Sequence, residues 1–242
     1  MTELSGRIAL VTGSSSGIGE AIARRLAGLG ATVVVNSASS VEAGTRVAQE
    51  IGGAYVQGDI AEAESRARLL TKCESLGGLD ILINNAGWTR LVAHHDLDSL
   101  TEEVFRRTFE VNVFGTWELT KRAMPLLRSS SDPNVVNITS IAGVRPVGSS
   151  IAYSMSKAAL NHMTFLLAKS HAPVRVNAVA PGLVETPWTE NWQDQHAGVR
   201  SLAPLQRSAT PDDCVETVLG FLRNKYVTGQ VAVVDGGLTL KI

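Results

Sequence analysis

Short apolar runs alternate with longer segments of helical periodicity along almost the whole chain, and this alternation restricts the fold more than any other feature. The runs that predict strands are residues 8–12, 32–35, 54–57, 81–84, 134–139, 174–179 and 231–234. The segments that predict helices are residues 18–29, 41–51, 62–76, 101–127, 152–170 and 211–222. Strands joined by helices form right-handed crossovers, which make the strands parallel and cover both faces of the sheet. The pattern therefore predicts an α/β protein with a doubly wound, mainly seven-stranded parallel sheet and helices on both faces.

Size and composition fit one soluble domain. The 242 residues are 44% hydrophobic and 19% charged, with a formal net charge of −1, so nothing indicates nucleic acid or a membrane as a partner. The N-terminal residues lack the apolar stretch of a signal peptide, and no apolar run approaches the ~20 residues that span a bilayer. Cys73 and Cys214 are too few for a disulfide framework. We therefore expect a single cytoplasmic domain over residues 1–242.

A glycine-rich turn lies where the first predicted strand becomes the first predicted helix. Its sequence, Thr-Gly-Ser-Ser-Ser-Gly-Ile-Gly, covers residues 12–19. Glycines allow a sharp turn and a close approach of phosphate oxygens, and the N-terminus of the following helix favours an anion. The turn therefore favours a dinucleotide pyrophosphate, although a turn of small residues needed only for tight packing would have the same composition.

Tyr153 and Lys157 are one helical turn apart, and Ser140 precedes them at the end of a predicted strand. Positions i and i+4 share a helix face, so a phenol and an ammonium can point into one cleft. A lysine cation lowers the pKa of a nearby tyrosine from about 10, which suits general acid–base catalysis. A Tyr-x-x-x-Lys pair also arises by chance on helix surfaces, so the pair needs support from the rest of the chain.

Several motifs, in the same order along the chain, resemble those of the short-chain dehydrogenase/reductase family. They are the turn 12–19, Asn84-Asn85-Ala86-Gly87, the set Asn112, Ser140, Tyr153 and Lys157, the segment from Pro181-Gly182 to Thr186, and Asp235-Gly236-Gly237. The resemblance to the family covers essentially the whole chain. Within the family, the chain resembles the branch of the 3-oxoacyl-carrier-protein reductases, and this finer resemblance is a looser guide. It implies a Rossmann fold and an oxidoreductase that transfers a hydride between NAD(P)(H) and a carbonyl or secondary alcohol.

The resemblance implies a catalytic role for four residues. Tyr153 would exchange a proton with the substrate oxygen as general acid or base, and Ser140 would orient that oxygen. Lys157 would lower the pKa of Tyr153 and hydrogen-bond the nicotinamide ribose. Asn112 would help to hold a water that relays protons to the lysine, and its place beside Gly115 indicates a local break in the long helix. Taken singly, Ser140 fits a strand-end turn equally well, and Asn112 fits a helix–helix hydrogen bond.

The resemblance also implies a set of cofactor contacts. Tyr153 and Lys157 belong to it, together with Gly13, Ser15, Ser16, Gly17, Ile18 and Gly19 of the turn, Asn36, Ser37, Asp59 and Ile60 at the adenosine end, and Asn85, Ala86, Gly87, Val184 and Thr186 at the nicotinamide end. Asp59 would contact the adenine amino group, although an acid at a strand end that caps the next helix is an alternative.

The choice of cofactor follows from charge at the end of the second strand. An acid there would bind the ribose 2′-hydroxyl of NAD and repel the 2′-phosphate of NADP. The position holds Asn36, followed by Ser-Ala-Ser-Ser, and the first acid is Glu42. The basic residue that NADP-dependent members of the family often carry is missing too, but hydroxyl and backbone donors of residues 37–40 can hold a phosphate. We therefore favour NADP(H), with NAD(H) as the alternative.

An irregular segment at about residues 183–205 corresponds to the family's mobile substrate lid. Aromatic and aliphatic side chains there and near the glycine motif predict an apolar substrate pocket formed by Trp88, Val144, Leu183, Trp188 and Trp192. Packing of the lid onto the core explains each tryptophan equally well. The sequence does not identify the substrate beyond a small carbonyl or alcohol compound.

The sequence also leads to expectations about metal binding, the oligomeric state and the alternative functions. The neighbouring His94 and His95 lack a third ligand at metal spacing, so no metal site is predicted. The family resemblance implies a homotetramer. The alternatives to an NADP(H)-dependent reductase are an NAD-dependent alcohol dehydrogenase of the same family and a non-catalytic dinucleotide-binding regulatory protein. The presence of both Tyr153 and Lys157 argues against the regulatory protein, because such proteins typically lose one of them.

Overall fold

A seven-stranded parallel sheet forms the centre of the computed structural model, which describes residues 3–241. The strands are β1 (Ile8–Val11), β2 (Thr32–Ser37), β3 (Ala54–Gln57), β4 (Ile81–Asn84), β5 (Asn134–Ile138), β6 (Arg175–Pro181) and β7 (Val231–Val234). Their order across the sheet is β3-β2-β1-β4-β5-β6-β7, with parallel pairing throughout. The predicted fold class is confirmed. Because the order reverses between β1 and β4, the carboxyl ends of these strands are the expected ligand site.

Helices cover both faces of this sheet. The described helices are α1 (Gly17–Gly28), α2 (Val41–Glu50), α3 (Ala63–Leu76), α4 (Glu102–Phe109), α5 (Thr116–Arg128), α6 (Ile151–Ser170), α7 (Gln193–Leu202) and α8 (Pro211–Arg223). Side chains alternate between the faces of a strand. Ala9 and Val11 therefore pack in a core with α1, α2 and α8, whereas Leu10 packs on the other side with α3, α5 and α6. Within the described residues, no helix has the length and apolarity needed to cross a membrane.

The predicted long helix 101–127 is interrupted. α4 runs into a π-helical segment, Glu110–Gly115, and α5 continues from it. A Cβ on Gly115 would lie only 2.8 Å from the carbonyl oxygen of Ile60, so the backbones approach as closely as glycine allows. The break that the sequence indicates beside Gly115 is thus a widened turn. Such π-bulges are frequent at functional sites, and this one contains Asn112.

The segment 183–205 is more regular than the sequence suggests. It contains a short 3₁₀ turn, Pro187–Thr189, and the helix α7. His196 is the buried residue of α7, and the rest of that helix is exposed or half-buried. The helix therefore lacks the broad apolar stripe by which amphipathic helices are recognised in a sequence.

Candidate active site

A cavity of about 550 Å³ opens beyond the carboxyl ends of the central strands. This volume and position are typical of ligand sites in parallel sheets. Of the predicted catalytic and cofactor residues, the cavity is lined by all except Asn112 and Gly19. The structure therefore brings the residues of the sequence motifs together in one place.

The glycine turn forms the wall of the cavity at the start of α1. Gly13 and Gly17 have φ angles of 62° and 57°, in the left-handed region that favours glycine. A Cβ on Gly19 would lie 2.4 Å from the carbonyl oxygen of Gly13 and from Nδ2 of Asn85. Gly19 thus permits α1 to pack against the turn, which is why it does not itself face the cavity.

Hydrogen bonds from the loop after β4 brace this turn. The Thr12 hydroxyl accepts hydrogen bonds from the backbone N–H groups of Asn85 and Ala86, both at 3.0 Å. The Asn85 side chain donates to the carbonyl oxygens of Thr12 and Gly13, both at 2.9 Å. Because these bonds use both amide hydrogens and the backbone N–H of Asn85, its side-chain oxygen and its backbone carbonyl are the groups left to meet a ligand.

The N-terminus of α1 supplies donors for an anion. The side chain of its cap residue, Ser16, makes no hydrogen bond to the helix. N–H groups in a first helical turn lack intrahelical partners and carry the positive end of the helix dipole. With the close approach that Gly13 and Gly17 allow, this donor set fits the pyrophosphate of a dinucleotide.

Asn36 occupies the position where NAD enzymes of this fold carry an acid. Its side chain makes hydrogen bonds within the protein. Its Nδ2 donates to the carbonyl oxygens of Val56 and Gly58 at 3.1 and 2.9 Å, and its Oδ1 accepts from the N–H of Gly13 at 3.3 Å. The residue is only 1% exposed, so its side chain links the glycine turn to β3. The exposed residues 38–40, which carry no acid, line the cavity beyond it.

Asp59 is held by two partners at the adenosine end of the cavity. Arg107 forms an ion pair with one carboxylate oxygen, and the other accepts a hydrogen bond of 2.9 Å from the N–H of Ala61. Asp59 therefore organises the start of the α3 connection as well as lining the cavity. Arg107 lines the same end, and nothing in the sequence motifs pointed to it, because it lies on α4 far along the chain.

Tyr153 is positioned by the first turn of α6. The Ser150 side chain caps this helix by accepting a hydrogen bond of 3.2 Å from the N–H of Tyr153. Ser140, just beyond β5, lies near enough to the Tyr153 hydroxyl to oppose the rise of its pKa, and both residues line the cavity. The Ser140 side chain accepts a hydrogen bond of 3.1 Å from the N–H of Ala142. Two hydroxyl groups thus converge where a substrate oxygen can be held.

Lys157 lies one turn further along α6. Its Nζ is 5.5 Å from the centroid of the Tyr153 ring and donates a hydrogen bond of 3.0 Å to the carbonyl oxygen of Ile138. A Cβ on Gly87 would lie 3.6 Å from the same Nζ. The ammonium therefore faces the loop after β4, where the family resemblance expects the nicotinamide ribose.

Burial governs the ionisation of this pair. It raises the pKa of Tyr153 to about 12, against the opposing effect of the Ser140 hydrogen bond, and it lowers the pKa of Lys157 to about 8. Loss of water disfavours both charged forms, which explains the two directions; that Lys157 lowers the pKa of Tyr153 during the reaction stays a prediction. At neutral pH Tyr153 is a phenol that can donate a proton, and Lys157 is mostly protonated.

The side chain of Asn112 is hydrogen-bonded to the loop after β4. Its side-chain oxygen accepts from the N–H of Trp88 at 2.7 Å, while its Nδ2 donates to the carbonyl oxygen of Trp88 at 3.0 Å and to Ser156 Oγ at 2.9 Å. The completely buried side chain thus connects the π-helical segment, the loop and α6. Any part in the expected water relay falls to its backbone.

Val184 and Thr186 line the cavity, with Thr186 beside the glycine turn. A Cβ on Gly17 would lie 3.2 Å from Cγ2 of Thr186, and Val184 pairs with Ala209 in an isolated parallel bridge. The Thr189 hydroxyl donates a hydrogen bond of 2.6 Å to the carbonyl oxygen of Val184. These contacts fasten the start of the segment 183–205 beside the predicted nicotinamide end.

The structure places four of the five predicted substrate residues in the cavity lining. Trp88, Leu183, Trp188 and Trp192 line it, whereas Val144 is exposed outside it because the chain turns away after the 3₁₀ turn Ile141–Gly143. Residues that the sequence analysis did not select also line this end: Thr89, Leu91, Val147, Ser149, Gln195, Val199 and Leu238. Only their contact in the fold identifies them, since they come from four separate segments. His196 faces inward instead, bonded to Ser208 and Thr189.

Known proteins share both the sequence and the fold. A family model described as enoyl-(acyl carrier protein) reductase matches residues 13–239. A protein from Streptomyces violaceoruber, named as ketoacyl reductase 2 of the granaticin polyketide synthase, is 52% identical over 240 residues, which cover 96% of each chain. The 3-oxoacyl-[acyl-carrier-protein] reductase of a Synechocystis species is 36% identical over 251 residues, which cover 99% of this chain and 100% of the relative.

A solved structure agrees with these relatives. It is titled as a short-chain dehydrogenase/reductase, glucose/ribitol dehydrogenase, from Brucella melitensis, and it is 28% identical with a TM-score of 0.91 over 98% of both chains. Similarity of this extent, over a fold that holds the family's motifs around one cavity, establishes the class of the enzyme. The protein is an NAD(P)-dependent oxidoreductase that belongs to the short-chain dehydrogenase/reductase family.

Proposed function

We propose that the protein reduces a ketone to a secondary alcohol with NADPH as the hydride donor. The observation that carries this proposal is that Ser140, Tyr153 and Lys157 line the same cavity as the dinucleotide turn, with Lys157 Nζ 5.5 Å from the centre of the Tyr153 ring. The dinucleotide supplies the hydride when bound, and residues 13–19 with Val184 and Thr186 would hold it. The side chains of α6 and β5 supply the proton and the orientation.

Tyr153 would serve as the general acid. A phenol with a raised pKa of about 12 keeps its proton at neutral pH and gives it up to an alkoxide, which is a far stronger base. Ser140 would hold the carbonyl oxygen against Tyr153 by a second hydrogen bond. The Lys157 ammonium, 5.5 Å from the ring, would stabilise the tyrosinate left behind.

The preference for NADPH rests on the end of β2. Asn36 is occupied by three hydrogen bonds, and the exposed residues 38–40 carry no acid that would repel a 2′-phosphate. Hydroxyls of Ser39 and Ser40 and nearby backbone N–H groups are the donors available to that phosphate. A clear preference for NADH in side-by-side titrations would contradict this part of the proposal and favour the NAD-dependent alternative.

The substrate we propose is a ketoacyl compound. Relatives named as a ketoacyl reductase and as a 3-oxoacyl-[acyl-carrier-protein] reductase support this class. The lid segment 183–205, with Trp188 and Trp192, supplies apolar surface for such a chain or ring. A panel of 3-oxoacyl thioesters, cyclic ketones and sugars, followed by NADPH and NADH absorbance, tests the proposal. Absence of turnover with every carbonyl compound would favour the non-catalytic alternative.

We also propose the homotetramer that the family resemblance implies. Large apolar side chains are exposed on the π-helical segment, α5 and α6, among them Phe114, Trp117 and Phe165, at 60%, 38% and 45%. A face of this kind is typical of an interface between subunits. Light scattering that gave only the 25.7 kDa of one chain would contradict the proposal.

A further inference from the structure

A pair of hydroxyl groups lies in the substrate end of the cavity. Thr89 Oγ1 and Ser149 Oγ are 2.7 Å apart, and both residues line the cavity. Thr89 belongs to the loop after β4, and Ser149 to the loop that leads into α6. A backbone hydrogen bond of 2.8 Å from Val92 to Ser149 joins the same two loops. The pair is therefore held in place from both sides.

Neighbouring contacts put the pair beside the reacting groups. A Cβ on Gly148, the residue before Ser149, would lie 3.7 Å from Cδ1 of Tyr153. A Cβ on Gly87, two residues before Thr89, would lie 3.6 Å from Nζ of Lys157. A substrate whose keto oxygen meets Tyr153 can therefore extend towards this pair.

The pair carries one hydrogen more than its mutual bond uses. Each hydroxyl has one hydrogen and can accept two hydrogen bonds. If Thr89 donates, the hydrogen of Ser149 has no other partner within residues 3–241; if Ser149 donates, the hydrogen of Thr89 meets only the Arg90 carbonyl at a long 3.4 Å. Ser149 is 5% exposed and Thr89 is half-buried, so the spare donor has little access to bulk water when it is the Ser149 hydroxyl. A donor in this state favours a ligand that accepts a hydrogen bond.

The surroundings restrict that ligand to a neutral group. Within the described part of the chain, the charged residues that line the cavity are Asp59, Arg107 and Lys157, and the first two lie at the adenosine end. Apolar side chains of Trp88, Leu91 and Val147 line the cavity near the pair. A carboxylate or phosphate at the pair would lose its water for at most the one ammonium of Lys157, which is bonded to the Ile138 carbonyl, whereas a carbonyl oxygen needs only the hydroxyl.

We propose that the Thr89–Ser149 pair is a specificity-determining site that binds a second carbonyl oxygen of the substrate. The keto oxygen would meet Tyr153 and Ser140, and the ester or thioester oxygen of a 3-oxoacyl compound would meet the hydroxyl pair. The proposal rests on the ketone reduction proposed above. A site built to hydrogen-bond a substrate oxygen discriminates against the analogue that lacks it.

Two ketones with the same number of chain atoms test the assignment. Ethyl 3-oxobutanoate has the second carbonyl, and 2-heptanone lacks it. The readout is the ratio of kcat/KM for the ester to that for 2-heptanone, with NADPH, in Thr89→Val, Ser149→Ala and the conservative Thr89→Ser. We expect the ratio to fall about threefold to tenfold in the first two variants, which is the effect of one neutral hydrogen bond, and to be kept in the third.

Ser154→Ala is the matched control for disturbance of the loop. The Ser154 hydroxyl donates to the carbonyl oxygens of Val147 and Ser150 at 2.7 and 3.0 Å, but Ser154 does not line the cavity. We expect its ratio to equal that of the wild type. An equal loss for both ketones in Thr89→Val and Ser149→Ala, or no loss for either, would overturn the proposal.

A binding measurement separates this proposal from ketone reduction itself. The affinities of both ketones for the protein saturated with NADP⁺ are measured by saturation-transfer NMR in the wild type and in Ser149→Ala. A preference for the ester that disappears in Ser149→Ala supports the site even if no ketone is turned over, in which case the reduction proposal alone fails. Equal binding of the two ketones by the wild type contradicts the site.

Discussion

Lys157 Nζ lies 5.5 Å from the centre of the Tyr153 ring, while its hydrogen bond of 3.0 Å reaches the Ile138 carbonyl at the end of β5. The ammonium is therefore tied to the sheet and not to the phenol oxygen. This geometry assigns the two residues separate tasks. Under the proposed function, Tyr153 would hold the transferable proton and Lys157 would provide charge at a fixed position.

Replacing Tyr153 with Phe removes that proton and leaves the ring in place. We expect kcat for ketone reduction to fall by about 10²–10⁴, the usual contribution of a general acid. Binding of NADPH, followed by nicotinamide fluorescence, should change much less, because the turn 12–19 is untouched. Turnover at the wild-type rate would refute the role of Tyr153 as the acid.

The pH dependence of the reaction follows from the two shifted groups. Tyr153 has a pKa of about 12 and stays protonated throughout the practical range, whereas Lys157 has a pKa of about 8 and loses its charge above it. We expect kcat/KM for reduction to be level below about pH 8 and to fall as the pH rises further. Rates measured from pH 6 to pH 10 in a constant-ionic-strength buffer check this, and a level profile up to pH 10 would contradict it.

An acid at residue 38 should weaken the binding of NADPH. Ala38 is exposed and lines the cavity just after Asn36, so Ala38→Asp adds a carboxylate without breaking a buried hydrogen bond. Like charges a few ångströms apart repel by about 1–4 kcal/mol, so we expect Kd for NADPH to rise about tenfold or more. Kd for NADH should change little. Ala38→Asn, of the same size and uncharged, is the control, and an equal effect of both variants would argue against a phosphate at this position.

Two glycines of α1 should respond in opposite directions to alanine. In Gly19→Ala the new Cβ would meet the Gly13 carbonyl and Asn85 Nδ2 at 2.4 Å, so we expect a loss of unfolding free energy of about 1–3 kcal/mol and weaker NADPH binding. Gly28 has nothing within 4 Å of its Cβ position, and Gly28→Ala should stabilise the protein by about 0.5–1 kcal/mol. Urea unfolding of both variants measures these changes of unfolding free energy. Equal urea midpoints for the two variants would contradict the described packing.

The sequence was most informative where period and motif agree. Residues 8–11 and 81–84 are continuous apolar runs, and the structure makes them strands β1 and β4. The helix α7 was missed, because His196 is its single buried side chain and no apolar stripe appears. The break at 110–115 is indicated by Asn112 beside Gly115, but no local pattern contains the close approach of Gly115 to Ile60, 55 residues away.

In the candidate site, too, some features could be predicted from the sequence and others depend on the fold. Gly13, Ser140, Tyr153 and Lys157 could be selected by type and order, and they line one cavity. The sequence does not predict the direction of the Tyr153 pKa shift, since this depends on how deeply the fold buries the ring. The sequence does not predict the inward hydrogen bonds of Asn36 either, because they go to two distant segments, the glycine turn and the end of β3.

The bracing of the glycine turn by Thr12 and Asn85 has a consequence for how such an enzyme can change. Four hydrogen bonds tie the glycine turn to the loop after β4, so the half of the cavity proposed for the dinucleotide is braced directly at the ends of β1 and β4. The half that meets the substrate is made by residues 88–92, 147–149 and 183–205, none of which belongs to a strand. New substrates can therefore be acquired by altering loops while the redox chemistry is inherited intact.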